Sequence, residues 1–197
     1  LMSALKCTYK GITRIDLCYD CNKYFNGRSP SRFINQFISK GVGKKGYIYR
    51  VGSDRFAAYG SKCRTSSAKV SSIRFGSEKS RIGTYIYDKT IELEEVKDKP
   101  WIRQMWEENG IVSNDKEHVF RSEISIKAQG TDILNMSTGE LFRLSPNYLE
   151  HYENLRKIFH FYAKKYFDFR ICNGQKNKRN YDQMQIFECD TEITCKP

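Results

Sequence analysis

Long apolar runs are missing from this 197-residue chain, and none approaches the roughly 18 residues that a membrane-crossing helix needs. The opening Leu-Met-Ser-Ala-Leu-Lys-Cys-Thr stretch lacks the apolar core of a secretory leader, so none is expected at Leu1. Histidine is scarce: His118, His151 and His160 stand far apart, and none falls in an H-x-H or H-E-x-x-H pattern. No G-x4-G-K-[ST] loop exists to cradle a nucleotide phosphate, no G-x-G-x-x-G follows a strand, and no G-x-S-x-G presents a nucleophilic serine. The seven cysteines (7, 18, 21, 63, 172, 189, 195) are odd in number and irregularly spaced, unlike a secreted disulfide framework. A reduced, cytoplasmic protein is the reading that follows. Cys18 and Cys21 form one C-x-x-C, but no second pair completes a zinc site.

What the chain does have is positive charge and aromatic surface. Lys and Arg number 34 against 23 Asp and Glu, a formal charge of +11, and aromatics make up 14% of the residues. Residues 40–89 hold 12 cations and only Asp54, Glu78 and Asp88, a surplus of +9, which leaves +2 for everything else. Tyr47, Tyr49, Phe56, Tyr59, Phe75, Tyr85 and Tyr87 are interleaved with those cations. Basic side chains among aromatics suit a groove that follows phosphates and stacks bases. Lys44, Lys45, Arg50, Lys62, Arg64, Lys69, Arg74, Lys79 and Arg81 are therefore the candidate DNA contacts. A solvated basic sheet face with half-buried aromatics behind it is the competing reading.

The elements follow from periodicity and punctuation. Gly11–Asp20 alternates as a strand, with Ile15, Leu17 and Tyr19 on one face and Arg14, Asp16, Cys18 and Asp20 on the other. Ser29-Pro30 opens a helix bearing Phe33, Ile34, Phe37 and Ile38, which Gly41 closes. Strands are expected at Tyr47–Val51, Phe56–Tyr59, Val70–Phe75, Thr84–Asp88 and His118–Lys127, with a helix from Trp101 to Asn109. Ser145-Pro146 should start the longest helix, running to about Tyr166 with Leu149, Tyr152, Leu155, Phe159, Tyr162 and Tyr166 buried. A short strand follows at Phe167–Cys172. This mixture predicts an α+β fold, an antiparallel sheet with helices packed on one face. Residues 1–172 form one domain in this reading, and 173–197 a polar, loosely ordered tail.

Three acids sit on polar faces of predicted strands: Asp16, Asp20 and Glu123, the first two about 13 Å apart along one face. Gathered carboxylates suit Mg²⁺ or Mn²⁺, hard ions that take oxygen ligands. Tyr85, Tyr87 and Lys89 share a face of another strand, and a tyrosine beside a metal-bound phosphodiester can serve as a covalent nucleophile. Phenol ionises near pH 10, so a cation must assist, and Lys89 is placed to do so. The same residues have plainer uses: Asp16 paired with Arg14, Glu123 with Arg121, Tyr87 packed.

Gly76-Ser-Glu-Lys-Ser-Arg-Ile-Gly-Thr-Tyr-Ile-Tyr-Asp-Lys-Thr-Ile-Glu92 resembles the G-S-[RK]-x-S…[RL]-x-Y-[DN]-K-x-x-E segment of rolling-circle replication initiators of the Rep_trans type and of related conjugative-element relaxases. Thr13–Asp20 resembles their T-R-x-D-[LI]-x-x-D strand, and Phe120–Lys127 their R-x-E-[LI]-x-x-K strand, in the same order over about 115 residues. Where relatives carry an arginine just before the tyrosine, this chain has Gly83-Thr84-Tyr85-Ile86. The resemblance implies an HUH-like sheet and a protein that nicks and rejoins DNA at a single-stranded or extruded origin, through a 5′-phosphotyrosyl intermediate. It makes Tyr87 the nucleophile with Tyr85 in reserve, Asp16, Asp20 and Glu123 the ligands of Mg²⁺ or Mn²⁺, and Lys89 and Arg121 the groups that neutralise the scissile phosphate. It also implies a homodimer and a host helicase as partners. The alternatives are a non-catalytic nucleic-acid-binding domain and a partner-binding phage protein.

Overall fold

The computed structural model describes residues 11–39, 46–52, 55–61, 69–112, 117–127, 132–134, 141–143 and 146–188. Its centre is a five-stranded antiparallel sheet. In chain order its strands are β1 (Arg14–Cys21), β3 (Phe56–Ser61), β4 (Lys69–Phe75), β5 (Ile82–Asp88) and β6 (Phe120–Lys127). Their spatial order is β1-β6-β5-β4-β3, so β6 is hydrogen-bonded on both sides. A second, three-stranded sheet joins β10 (Asp182–Gln183), β9 (Phe169–Ile171) and β2 (Ile48–Arg50), and a hairpin pairs β7 (Asp132–Leu134) with β8 (Leu141–Arg143). The α+β architecture is as the pattern predicts, but the β structure is divided among three sheets.

One face of the main sheet is apolar. Leu17, Ile73, Phe75, Ile86, Ile124 and Ile126 are buried there beneath α1 (Pro30–Ile38) and α5 (Tyr152–Tyr166). α1 begins as the sequence dictates: Ser29 Oγ accepts from the Arg32 amide at 3.2 Å, and Pro30 occupies the first turn, where its missing N–H is no loss. Phe33, Ile34 and Phe37 then fall on one stripe and are fully buried. The long helix expected from Pro146 is interrupted. α4 (Pro146–Leu149) ends at once, and His151, in extended conformation, starts α5. Ile158, Phe159, Tyr162 and Ala163 are buried on α5, whereas Tyr152, in its first turn, is 70% exposed rather than part of the stripe.

Two further corrections concern segments read as strand and as tail. Lys89 is not on a strand: Asp88 caps the short helix α2 (Lys89–Glu95), its Oδ1 accepting from the Ile91 amide at 3.1 Å while Oδ2 takes His118 Nδ1 at 2.7 Å. α3 (Pro100–Glu108) follows, and Leu93, Ile102, Trp106 and Val119 form a small separate core at this end of the sheet. The segment after Asn173 is not loose as far as residue 188. Tyr181, Met184, Ile186 and Phe187 are buried, and the Phe187 ring meets Tyr19, Phe159 and Phe167 at centroid distances of 5.1, 5.2 and 5.5 Å. Polar residues make up the 3-10 turn (Lys178–Asn180), while four of the eight residues 181–188 are apolar and reach the core. Residues 189–197 lie outside those described.

Phe169 joins the second sheet to the first. Its ring lies 4.8 Å from Phe33, 5.5 Å from Phe37 and 5.7 Å from Phe75 between centroids. Replacing Phe169 with Ala should destabilise the protein by about 3–5 kcal/mol through the lost transfer energy and the cavity left behind. Urea unfolding would measure this, and a loss below about 1 kcal/mol would mean that the two sheets do not share one core.

Candidate active site on the open face of the main sheet

Because side chains alternate across a strand, the face opposite the core collects the residues between the buried ones. The register places them in rows. Asp20, Arg121, Tyr87, Ser72 and Tyr59 are cross-strand partners in one row, and Cys18, Glu123, Tyr85, Arg74 and Ala57 in the next. Asp16 pairs with Ser125 and so lies diagonally beside Glu123. The three segments singled out in the sequence thus meet on three neighbouring strands.

The central contact is between Tyr87 and Glu123. The phenol donates to Glu123 Oε2 at 2.9 Å in a half-buried setting. Burial pushes the Tyr87 phenol well above its ordinary range, and the Glu123 charge adds to this, with Arg121 opposing. Burial likewise raises the Glu123 carboxyl above the usual carboxylate range and Asp16 adds to it, while the Tyr87 hydrogen bond and Arg121 pull it down. Cys18 Sγ approaches the same Oε2 at 3.9 Å. Although the residue is open to solvent at one side, burial of the thiol pushes it up to about 12. Cys21, three residues on, points into the core, so the two cysteines of the C-x-x-C face opposite sides of the sheet.

Asp20 and Arg121 form a second unit. Arg121 Nε and Nη2 donate to the two Asp20 oxygens at 2.7 Å each, and Trp106 Nε1, reaching over from α3, donates to Oδ2 at 2.8 Å. Burial alone would depress the guanidinium, but the Asp20 hydrogen bonds outweigh it and hold Arg121 above its ordinary value. Only 13% and 6% of these side chains are exposed, so removing one partner strands the other at a cost of about 3–5 kcal/mol. Asp20 is thus engaged by three donors, and Arg121 is held by Asp20 rather than by Glu123.

Lys89 was expected to face the phosphate. It is 2% exposed, pairs with Glu92, and its ammonium sits 5.6 Å from the centroid of the Tyr87 ring. It braces the tyrosine through a cation–π contact instead. Tyr85 lies back across Gly83: a Cβ there would stand 3.1 Å from the Tyr85 ring and hydroxyl. Neither Gly83 nor Trp106 was anticipated. Gly83 reads as turn punctuation, and nothing local marks a tryptophan 86 residues from its partner.

The plain pairing of Arg14 with Asp16 is present, Nε to Oδ1 at 2.7 Å, and the Arg14 Nη2 lies 3.9 Å from Glu123 Oε1. Asp16 and Glu123 are thus the acids still facing the open surface. Among the described residues, no three His, Cys, Asp or Glu side chains converge as a metal cage.

The candidate DNA contacts divide. Arg50 is buried: β2 points it inward, its guanidinium stacks 4.7 Å from the Phe75 centroid, and Nε donates to the Tyr166 carbonyl at the end of α5 at 2.7 Å. It caps a helix C-terminus rather than meeting DNA. Arg74 is on the open face beside Tyr85 and pairs with Glu78. Lys79 and Arg81 are exposed in the turn before β5. Lys69 begins β4, where only its backbone is described, and Lys44, Lys45, Lys62 and Arg64 lie outside the described residues.

Among the described residues no helix is long and apolar enough to cross a membrane. The chain matches no family model and no curated protein sequence.

The raised Glu123 fixes a sign. Between the unfolded-state and native-state values the native protein holds the extra proton, so stability falls as pH rises through that window, from the ordinary carboxylate range upward. Glu123→Gln should flatten this fall in urea midpoints measured against pH. An unchanged slope would show that Glu123 is not the group responsible.

Proposed function

We propose that this protein is a DNA strand transferase of the rolling-circle type, an initiator or relaxase, with Tyr87 as nucleophile and Glu123 as its base. The observation that carries the reading is the 2.9 Å hydrogen bond from the Tyr87 phenol to Glu123 on an open, polar sheet face of a strongly basic chain. The adjacency of β1, β6 and β5 supports it, since the three segments that resemble initiator motifs lie on those strands. An HUH-like sheet would be used in this way.

In the proposed step the existing hydrogen bond is the proton path. The Tyr87 oxygen bonds to phosphorus as its proton passes to Glu123 Oε2, and the phosphorus–O3′ bond breaks. The 3′ oxygen leaves as a hydroxyl after taking a proton from water, and the 5′ end stays on the tyrosine. Burial, which makes the free phenolate costly, is tolerable because the proton moves within an existing hydrogen bond as the new bond forms. Lys89 and Arg121 act by bracing: one holds the ring, and the other lowers the charge felt by the phenol.

Asp16 and Glu123 fit a hard divalent ion, because Mg²⁺ is commonly held by one or two carboxylates together with substrate oxygens. Mg²⁺ or Mn²⁺ bound there would supply charge neutralisation for the phosphate. In this reading Asp20, engaged by Arg121 and Trp106, stands outside that pair.

One observation favours a second reading, a nucleic-acid-binding domain without cleavage: the Arg121 guanidinium, in register with Tyr87, is committed to Asp20. Incubation with single-stranded DNA and Mn²⁺, followed by denaturing gels and peptide mapping, separates the two. The transferase gives an adduct on Tyr87 that Tyr87→Phe abolishes without loss of binding. Glu123→Gln, which removes both the proton acceptor and an anionic ligand, should slow adduct formation by about 100-fold or more while DNA binding persists. Salt-sensitive binding with no adduct on any DNA from the native locus would establish the binding domain instead.

A further inference from the structure

A second concentration of positive charge runs from the end of α5 into the segment read from the sequence as a polar, loosely ordered tail. Residues 164–179 contain Lys164, Lys165, Arg170, Lys176, Lys178 and Arg179 against the single acid Asp168, a surplus of +5 in sixteen residues. This is denser than the +9 spread over residues 40–89, and it leaves the remaining chain net negative. Five of the six cations are exposed, and Arg170 is partly so.

The fold gathers Arg170, Lys178 and Arg179. β9 carries Arg170 between β2 and β10, paired in register with Tyr49 and Gln183. Tyr49 and Arg170 alternate with the buried Ile48 and Phe169, so they face away from the core, whereas Tyr87 lies on the far face of the main sheet. The 3-10 turn brings Lys178 over the Tyr49 ring, 4.8 Å from its centroid, and Lys165 sits 5.6 Å over Tyr166 at the end of α5. Asp168 is consumed by Arg170, which it meets at 3.1 Å.

The aromatics here are not free platforms. Tyr47 and Tyr181 share a hydroxyl hydrogen bond of 3.0 Å and pack edge to face, Tyr49 meets Tyr181 at right angles, and Lys178 covers the Tyr49 ring. Rings that are already covered cannot stack on unpaired bases. Cations fixed over them by cation–π contacts are instead placed to meet phosphates.

We infer that the outer face of the β2–β9–β10 sheet and its 3-10 turn form a second DNA-contacting surface, one that grips the phosphate backbone of duplex DNA without reading bases. It rests on the reading of the protein as one that acts on DNA, but not on the chemistry of Tyr87. The open face takes the strand to be cut, and this face, behind the core, holds flanking duplex.

The test is fluorescence anisotropy on a duplex of about 20 base pairs and on a single strand of the same length, across a salt series. Lys176, Lys178 and Arg179 are all replaced by Glu in one variant, and Lys23, Arg32 and Lys97 in a control with the same charge change. The first variant should bind duplex at least tenfold more weakly, with the log–log salt slope smaller by about 2–3, at roughly 0.9 per lost phosphate contact. The control should keep the original slope. Equal losses in both variants, or a loss confined to the single strand, would overturn the inference. So would binding of the unaltered protein to vesicles rich in phosphatidylserine but not to duplex. Circular dichroism checks the fold, and if the Glu variant is unfolded the corresponding Gln triple must show the same reduced slope. The two readings fail separately. A missing Tyr87 adduct with patch-dependent duplex binding defeats the nicking reading alone, and an adduct with patch-independent duplex binding defeats this one.

Discussion

The register of β6 between its two neighbours is the constraint on which the rest depends. Glu123 faces Cys18 on one side and Tyr85 on the other, and Arg121 faces Asp20 and Tyr87. A slip of one residue would turn Glu123 and Arg121 into the core and bring Ile124 and Ser122 to the surface. The buried Ile124 and Ile126 prevent that slip, since they fill the core beneath α1 and α5. Packing on one side of the strand thereby sets the chemistry on the other.

On that open face the charges settle into two units, of which one is closed and one is responsive. Asp20 and Arg121 satisfy each other with two short hydrogen bonds and a third from Trp106, which makes a rigid, internally neutral block. Tyr87 and Glu123 share a single proton donor in a place where burial disfavours either charge. The first unit fixes geometry and the second can exchange a proton. Lys89, sealed against Glu92 under the tyrosine ring, belongs with the rigid part.

Much of the fold was legible because its signals are local. The alternation of Arg14–Cys21, the Ser29-Pro30 cap and the Phe120–Lys127 strand each depend on neighbouring residues, and each appears where the pattern puts it. The Arg14–Asp16 pair, two residues apart, was legible for the same reason. What was hidden is non-local. Arg121 had two acids within reach, and only the cross-strand register decides for Asp20 over Glu123. Arg50 looked like a surface cation among others, but the direction of β2 and the end of α5 bury it. Asp88 reads as the end of a strand, but it also caps α2, and its partner His118 comes 30 residues later. The apolar residues after Tyr181 are diluted by polar ones, so their burial shows only once β9 and α5 are in place.

Phe187, wedged among Tyr19, Tyr24, Phe159 and Phe167, also bears on how the chain is made. β1 pairs with a strand that begins about a hundred residues later, and among the described residues the last ring to pack on it comes 168 positions after Tyr19 (187 less 19). Pairings so distant in sequence form slowly, because the intervening loop must be ordered before any contact rewards it. During synthesis β1 has its hydrogen-bonding partner only after β6 has emerged, and the Phe187 contact to Tyr19 only after residue 187 has. Until then the nascent chain exposes the apolar face of β1, which makes this protein a natural client for whatever shields unfinished polypeptides.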